Sequence, residues 1–222
     1  MKADPKKDAL AILSELDRPE FAALRAKHQG DLWEKYLNFD KYVPFNVRLC
    51  HQIGLHKTRP LRLLDIGCGG GLFMYCAKYY GHEPLGLDVE DKLLGEMAEA
   101  FGVERRIGPV HAFQPVSIEG RFDLISCIGT VFDWISSPGS DDGKGWTPRE
   151  WRFFLSDLRS RLLTKDGRVY LRLNRGEEAK SKGEYFYDDR LRLAFEHGHL
   201  RSSEILLDRV GLDLAIDRLG RD

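Results

Sequence analysis

The chain has 222 residues, with 34 Lys and Arg against 35 Asp and Glu and a formal charge of −1. That length suffices for one α/β domain with a sizeable core, and so even a balance gives no global field toward nucleic acid. No apolar run approaches membrane-spanning length and residues 1–30 are charged throughout, which excludes a transmembrane helix and a signal peptide from the reading. Cys50, Cys68, Cys76 and Cys127 lack Cys-x-x-Cys spacing. They read as free thiols of a cytoplasmic protein, with no metal site expected.

Residues 4–38 read as short helices. Asp4-Pro5 starts the first, with Leu10, Leu13 and Leu16 on one stripe. Pro19 begins a second that carries Phe21 and Leu24. A third runs from Asp31, with Leu32, Trp33, Tyr36 and Leu37 facing the core. Residues 1–58 are taken as a helical cap, and residues 59–222 as the main globular part.

Leu61, Leu63, Leu64 and Ile66 suit a strand buried on both faces. The glycine turn Asp65-Ile66-Gly67-Cys68-Gly69-Gly70-Gly71 follows, and its glycines let backbone approach a ligand. A helix over 72–80 comes at once, so its free N–H groups face that ligand, and Gly81 ends it. A strand over 84–89 finishes at Asp88, about 20 residues on from the turn, where a carboxylate can hold ribose hydroxyls. A helix over 91–101 and a strand built on Val110, Ala112 and Phe113 come next. Phe122 to Gly129 is a further strand. Residues 137–145 form a loop rich in glycine, serine and aspartate. Pro148 opens a helix to about 163, and Asp166-Gly167 turns into a strand over 168–173. Beyond, 176–184 is a charged loop, 190–195 a half-exposed strand or the start of a helix, Ser202 to Val210 a helix and Leu212 to Leu219 a strand. Arg172 in a doubly buried strand calls for a thinly covered face or a carboxylate partner.

Two nucleotide motifs fail on spacing. Leu72 stands where a dinucleotide fingerprint needs its third glycine, and no Gly-Lys-Ser/Thr follows for a P-loop. The pattern Asp65-x-Gly67-x-Gly69-x-Gly71 resembles motif I of the class I S-adenosylmethionine-dependent methyltransferases, with Asp88 at their ribose acid and 122–129 similar to their motif IV. The resemblance spans Leu61 to about Asn174. It implies an α/β, Rossmann-like three-layer sandwich, a mostly parallel central sheet with helices on both faces; the antiparallel strand pair that usually finishes it reads as shortened here, its last strand missing or supplied by 190–195. In that family the N-terminal segment often closes over the cofactor or substrate, which brings in Tyr36, Tyr42 and Asn46.

The resemblance implies S-adenosyl-L-methionine as cofactor, held by Asp65, Gly67, Cys68, Gly69, Gly71, Asp88, Val89, His111, Ala112, Phe113, Ile128 and Gly129. His111 departs from the acid that the family often carries near adenine and reads equally as a surface histidine, and Phe113 reads first as ordinary core. Each residue has a plainer role to weigh: Asp88 as a helix N-cap, the glycines as a tight turn, the His197-Gly198-His199 pair as solvated side chains rather than metal ligands. For proton handling the candidates are Asp133, His197, His199 and Tyr185, and for substrate Asn174 and Tyr36. The expectation is a cytoplasmic methyltransferase acting on a small molecule, its acceptor a hydroxyl, amine or carboxylate. No nucleic-acid or membrane partner is expected, and a homodimer is compatible with the sequence. A non-catalytic cofactor-binding or partner protein is the first alternative, and a nicotinamide-dependent oxidoreductase ranks below it because of Leu72.

Overall fold

The computed structural model describes residues 4–130, 132, 146–173, 189–201 and 203–220. Asp133, Asn174, Tyr185 and the loops expected at 137–145 and 176–184 lie outside these residues. The strands are β1 (Arg62–Ile66), β2 (Glu83–Asp88), β3 (Glu104–Ile107), β4 (Phe122–Ile128), β5 (Leu163–Arg172), β6 (His199–Arg201) and β7 (Glu204–Leu207). They form one seven-stranded sheet in the order β3-β2-β1-β4-β5-β7-β6. The chain divides into two compact units, residues 1–62 with 68–107, and residues 63–67 with 108–222.

The first unit is the helical N-terminus together with β2 and β3. Helix α1 (Pro5–Glu15) starts with Pro5 in its first turn and the Asp4 carboxylate accepting from the Lys6 amide at 3.0 Å. It buries Ala9, Ile12 and Leu16, whereas Leu10 is 68% exposed. The expected stripe was therefore rotated by a residue, because alanine at position 9 lies on the buried face. Helix α2 (Pro19–Lys27) buries Phe21. The helix expected from Asp31 is only a 3-10 turn at Glu34–Leu37; Leu37 is buried but Leu32 is 77% exposed. Helix α3 (Phe39–Gln52), capped by Asn38, turns Val43, Asn46, Val47 and Cys50 inward at helical spacing. Helix α4 (Leu72–Tyr79) and helix α5 (Lys92–Phe101) follow β1 and β2, and both are followed by left-handed glycines, Gly81 and Gly102. Asp91 caps α5 by accepting from the Leu94 amide at 3.0 Å, so the N-cap role weighed for Asp88 belongs to Asp91.

Strands β2 and β3 pair in parallel, Asp88 opposite Ile107. The third strand is thus Glu104–Ile107, not 110–113. Its two arginines and a glutamate gave no apolar alternation to read, as suits a strand at the sheet's border.

In the second unit β1, β4 and β5 run parallel, with Asp65 opposite Ser126 and Ile128 opposite Arg172. Helix α6 (Pro148–Asp157) carries a full capping box between Thr147 and Glu150. It ends earlier than the expected 163, passing into a π turn at Leu158–Leu162 that leads directly into β5. Strand β5 begins at Leu163, and the register slips between Phe122 and Leu124, so Asp166-Gly167 makes a bulge inside it rather than a turn before it. A Cβ on Gly167 would lie 3.0 Å from the Phe122 carbonyl oxygen, a tight contact that favours glycine in the bulge.

The C-terminal pair of antiparallel strands is present. Strand β7 pairs with β5, and β6 pairs with β7 at the border. Residues 190–195 do not supply it: helix α7 (Asp189–Ala194) covers them. Helix and strand are exchanged after that, because residues 204–207 are β7 and helix α8 (Arg209–Arg218), capped by Asp208, occupies the expected strand. Four consecutive residues of Glu204–Leu207 are too short to separate the two periods. The carboxylate called for by Arg172 is Glu204, 3.9 Å away across the β5–β7 pair, which also accepts from Arg201 at 3.1 Å.

Candidate functional site

Within the first unit the turn after β1 and the end of β2 meet. The Asp88 carboxylate accepts from the Gly69 amide at 2.6 Å through Oδ2 and from the Val89 amide at 2.7 Å through Oδ1. Two backbone donors fix its plane and still leave acceptor lone pairs, since a carboxylate offers about four. Asp88 is half-buried. The Cys68 amide donates to the Leu87 carbonyl at 3.4 Å, drawing the turn onto β2. A Cβ on Gly86 would fall 2.6 Å from the Cys68 sulfur, so the strand's only glycine is what lets the turn seat.

The glycines of the turn divide by role. Gly70 and Gly71 pack tightly: a Cβ would meet Met97 at 2.8 Å and Val103 at 2.6 Å. Gly69, with φ +54°, has nothing within 4 Å of the place a Cβ would take. Gly71 caps α4 in the left-handed conformation and has no side chain to bond the helix end, and the first turn of α4 follows directly on Gly69 and Gly70. Val89 and Ile107, at the ends of β2 and β3, are 51% and 57% exposed. Ile107 was not among the sequence candidates because β3 was placed six residues too late.

Tyr36 joins this group. Its phenol is pushed up from the usual tyrosine range by burial, then by Tyr42, then by the negative charge of Asp88. Trp33 stacks on Tyr36 with ring centroids 5.8 Å apart, and Tyr42 lies 5.4 Å from it. Asn46 is buried and donates to the Tyr42 carbonyl at 2.9 Å, so its amide serves its own helix.

The second unit holds the other candidates. Asp65 is buried, accepting from Ser126 at 2.6 Å between the paired strands. Gly67 has φ +74°, and a Cβ there would sit 2.5 Å from Oγ1 of Thr130, which itself donates to the Ile66 carbonyl at 2.7 Å. Gly67 is thus required by packing, a role that no spacing rule reveals. Ile128 is half-buried at the end of β4, and the Gly129 amide donates to the Arg172 carbonyl at 2.9 Å. His111 and Ala112 are half-buried in a turn. Phe113 is not core: it is 52% exposed, adopts φ +58° and meets Phe153 edge-on at 5.9 Å. A phenylalanine in left-handed backbone is uncommon and costs of order 1–3 kcal/mol.

The structure does not bring His197 and His199 to β1. Both are exposed near the border strand, and four strand spacings from β1 amount to about 19 Å. His197 Nε2 lies 3.2 Å from the Arg218 guanidinium. Among the described residues no group of three or more His, Cys, Asp or Glu is arranged to hold a metal ion, and no helix is long and apolar enough to cross a membrane. The four cysteines are buried and none is in a disulfide.

No known family profile matches the chain. Over 92 residues it is 36% identical to a ubiquinone biosynthesis O-methyltransferase of Sinorhizobium fredii, covering 37% of this chain and 36% of the relative. Over 107 residues it is 28% identical to the protein of the same name from Methylococcus capsulatus, covering 39% and 44%. The match thus spans less than half the length of the curated relatives. Among solved structures it is similar to a TehB-like SAM-dependent methyltransferase from Corynebacterium glutamicum, with a TM-score of 0.46, 23% identity and coverage of 72% and 84%. Both of these sequence relatives are named as O-methyltransferases.

Proposed function

We propose that this chain binds S-adenosyl-L-methionine and transfers its methyl group to a small-molecule acceptor in the cytoplasm. One observation carries the reading: the Asp88 carboxylate, oriented by the Gly69 and Val89 amides, stands beside a glycine with open space where its side chain would be. That arrangement fits a nucleoside. The remaining lone pairs of Asp88 accept from two ribose hydroxyls, and the opening amides of α4 suit the carboxylate of the amino acid end. Val89, 51% exposed at the end of β2, offers apolar surface to adenine. Asp65 orients the turn from within the core rather than touching the ligand. Tyr36, with its phenol in the field of Asp88, is assigned to closing over the nucleoside or its acceptor.

The bound cofactor supplies an electrophilic methyl on a sulfonium, ready for direct displacement. The chain's part is to align the acceptor and exclude water. A hydroxyl is the first acceptor to test, because the matched relatives are named as O-methyltransferases. Neither His197 nor His199 is kept as a base.

The test is calorimetric titration with S-adenosylmethionine, followed by assay of S-adenosylhomocysteine formation over a panel of small hydroxyl, amine and carboxyl acceptors. Micromolar binding with turnover supports the proposal. Binding without turnover on any acceptor supports the non-catalytic alternative, and no binding at millimolar cofactor overturns both.

A further inference from the structure

His28, the residue that ends α2, has a buried ring whose two nitrogens both face carboxylates. Nδ1 lies 2.5 Å from Oδ2 of Asp31 and Nε2 lies 2.9 Å from Oε2 of Glu96 on α5. A neutral imidazole has one N–H and one lone pair, and a carboxylate oxygen only accepts. Two such contacts are therefore both satisfied only by the imidazolium. Lys27 completes the group, its ammonium 2.7 and 2.8 Å from the two oxygens of Glu96. Asp31 in the turn after α2 and Glu96 on α5 face the ring, and Lys27 on α2 faces Glu96.

The position of this clasp ties two pieces of the nucleoside region. Helix α5 is the helix that follows Asp88, begun by its cap Asp91. Asp31 opens the segment that carries Trp33 and Tyr36, and the segment is held at its start by the Asp31 amide donating to the His28 carbonyl at 3.1 Å and the Gly30 amide donating to Glu34 at 2.7 Å. We infer that protonated His28 is a positioning residue that pins the Trp33–Tyr36 segment to α5, so that nucleoside affinity falls when His28 loses its proton. This rests on the reading that Asp88 holds the ribose.

Both carboxylates hold the His28 proton above its ordinary range near 6.5, and His28 with Lys27 lowers Glu96 to about 2. The sign follows. A raised histidine stabilises fully below 6.5 and ceases to do so as pH rises through its folded value, while a lowered glutamate stabilises above its ordinary 4.5 and fails only toward 2. The clasp's stabilisation is full between about 4.5 and 6.5, and in the folded protein the pair opens on the alkaline side only as pH passes the raised value of His28.

Two readouts on the full chain test it. In the ligand-free protein, nitrogen-15 spectra should show His28 titrating with a midpoint above 6.5, with Glu96→Gln moving the midpoint down. A midpoint at or below 6.5 overturns the clasp. By calorimetry, S-adenosylhomocysteine affinity should drop about 5-fold or more between pH 6 and pH 9, a common size for coupling between sites. His28→Gln should bind equally at both values, near the wild-type level at pH 9; Glu96→Gln serves if that variant does not fold. A flat wild-type profile, or the same fall in His28→Gln, overturns the inference. No binding at any pH overturns the cofactor reading and the affinity coupling together, while the ligand-free spectra still decide the clasp.

Discussion

At the scale of single residues, Asp88 and the glycines of the turn do different work. The Asp88 carboxylate is already bonded to two amides, so its contribution to a ligand is added to a fixed group rather than bought with new ordering. Asp88→Ala should weaken S-adenosylhomocysteine binding by ~1–3 kcal/mol, the loss of buried hydrogen bonds; unchanged affinity by calorimetry would place the ribose elsewhere. Gly67 and Gly69 make a sharper pair. Gly67→Ala drives a methyl into Thr130 and should lower the melting temperature markedly, whereas Gly69→Ala meets only its φ of +54°, a strain of roughly 1–2 kcal/mol. Thermal melts should rank Gly67→Ala as the worse for the fold, and calorimetry should show Gly69→Ala losing ligand affinity while still folded.

At the scale of elements, legibility followed length and periodicity. The strand, turn, helix and strand from Leu61 to Asp88 were readable because four apolar residues, a run of glycines and an acid each bear on one local conformation. The helix at Pro148 was readable for the same reason, and its capping box supplies a direct test: Thr147→Ala should cost about 1 kcal/mol in denaturant unfolding. Strand β3 was not readable, since its Glu-Arg-Arg-Ile belongs to a border strand and lacks an apolar face. The exchange of helix and strand after residue 202 has a different cause. Glu204–Leu207 carries charge at one end and three apolar residues, which suits one helical turn as well as a short strand, and only pairing with β5 decides. Of the candidate site, the residues that touch backbone amides were visible, while Ser126 on Asp65 and Thr130 against Gly67 were not, because each depends on which strand lies beside β1.

At the scale of the molecule, buried acids shape stability against pH. Burial pushes the Cys76 thiol up to about 12, Cys127 is raised by burial and by Asp65, and Tyr75 is raised to about 12 by burial and Glu15. Groups whose folded values are raised hold their protons in the native state, so stability is full below the unfolded value and declines as pH climbs past it. For Cys76, with an ordinary value of 9.0, the loss between pH 9 and pH 10 is roughly 1 kcal/mol. Melting temperature should therefore fall progressively above pH 9, and Cys76→Ala should flatten part of that slope in a pH series of thermal scans.

The sheet's two outermost strands bear on how copies of this chain meet. β3 presents Glu104 and Arg106, and β6 presents His199 and Arg201, all exposed. An outer strand's spare amides invite another chain to lengthen the sheet, and charge there repels such a guest. If copies self-associate, they should do so through some other face; replacing Arg106 and Arg201 with valine should remove the guard and produce growing particles by light scattering where the parent stays clear.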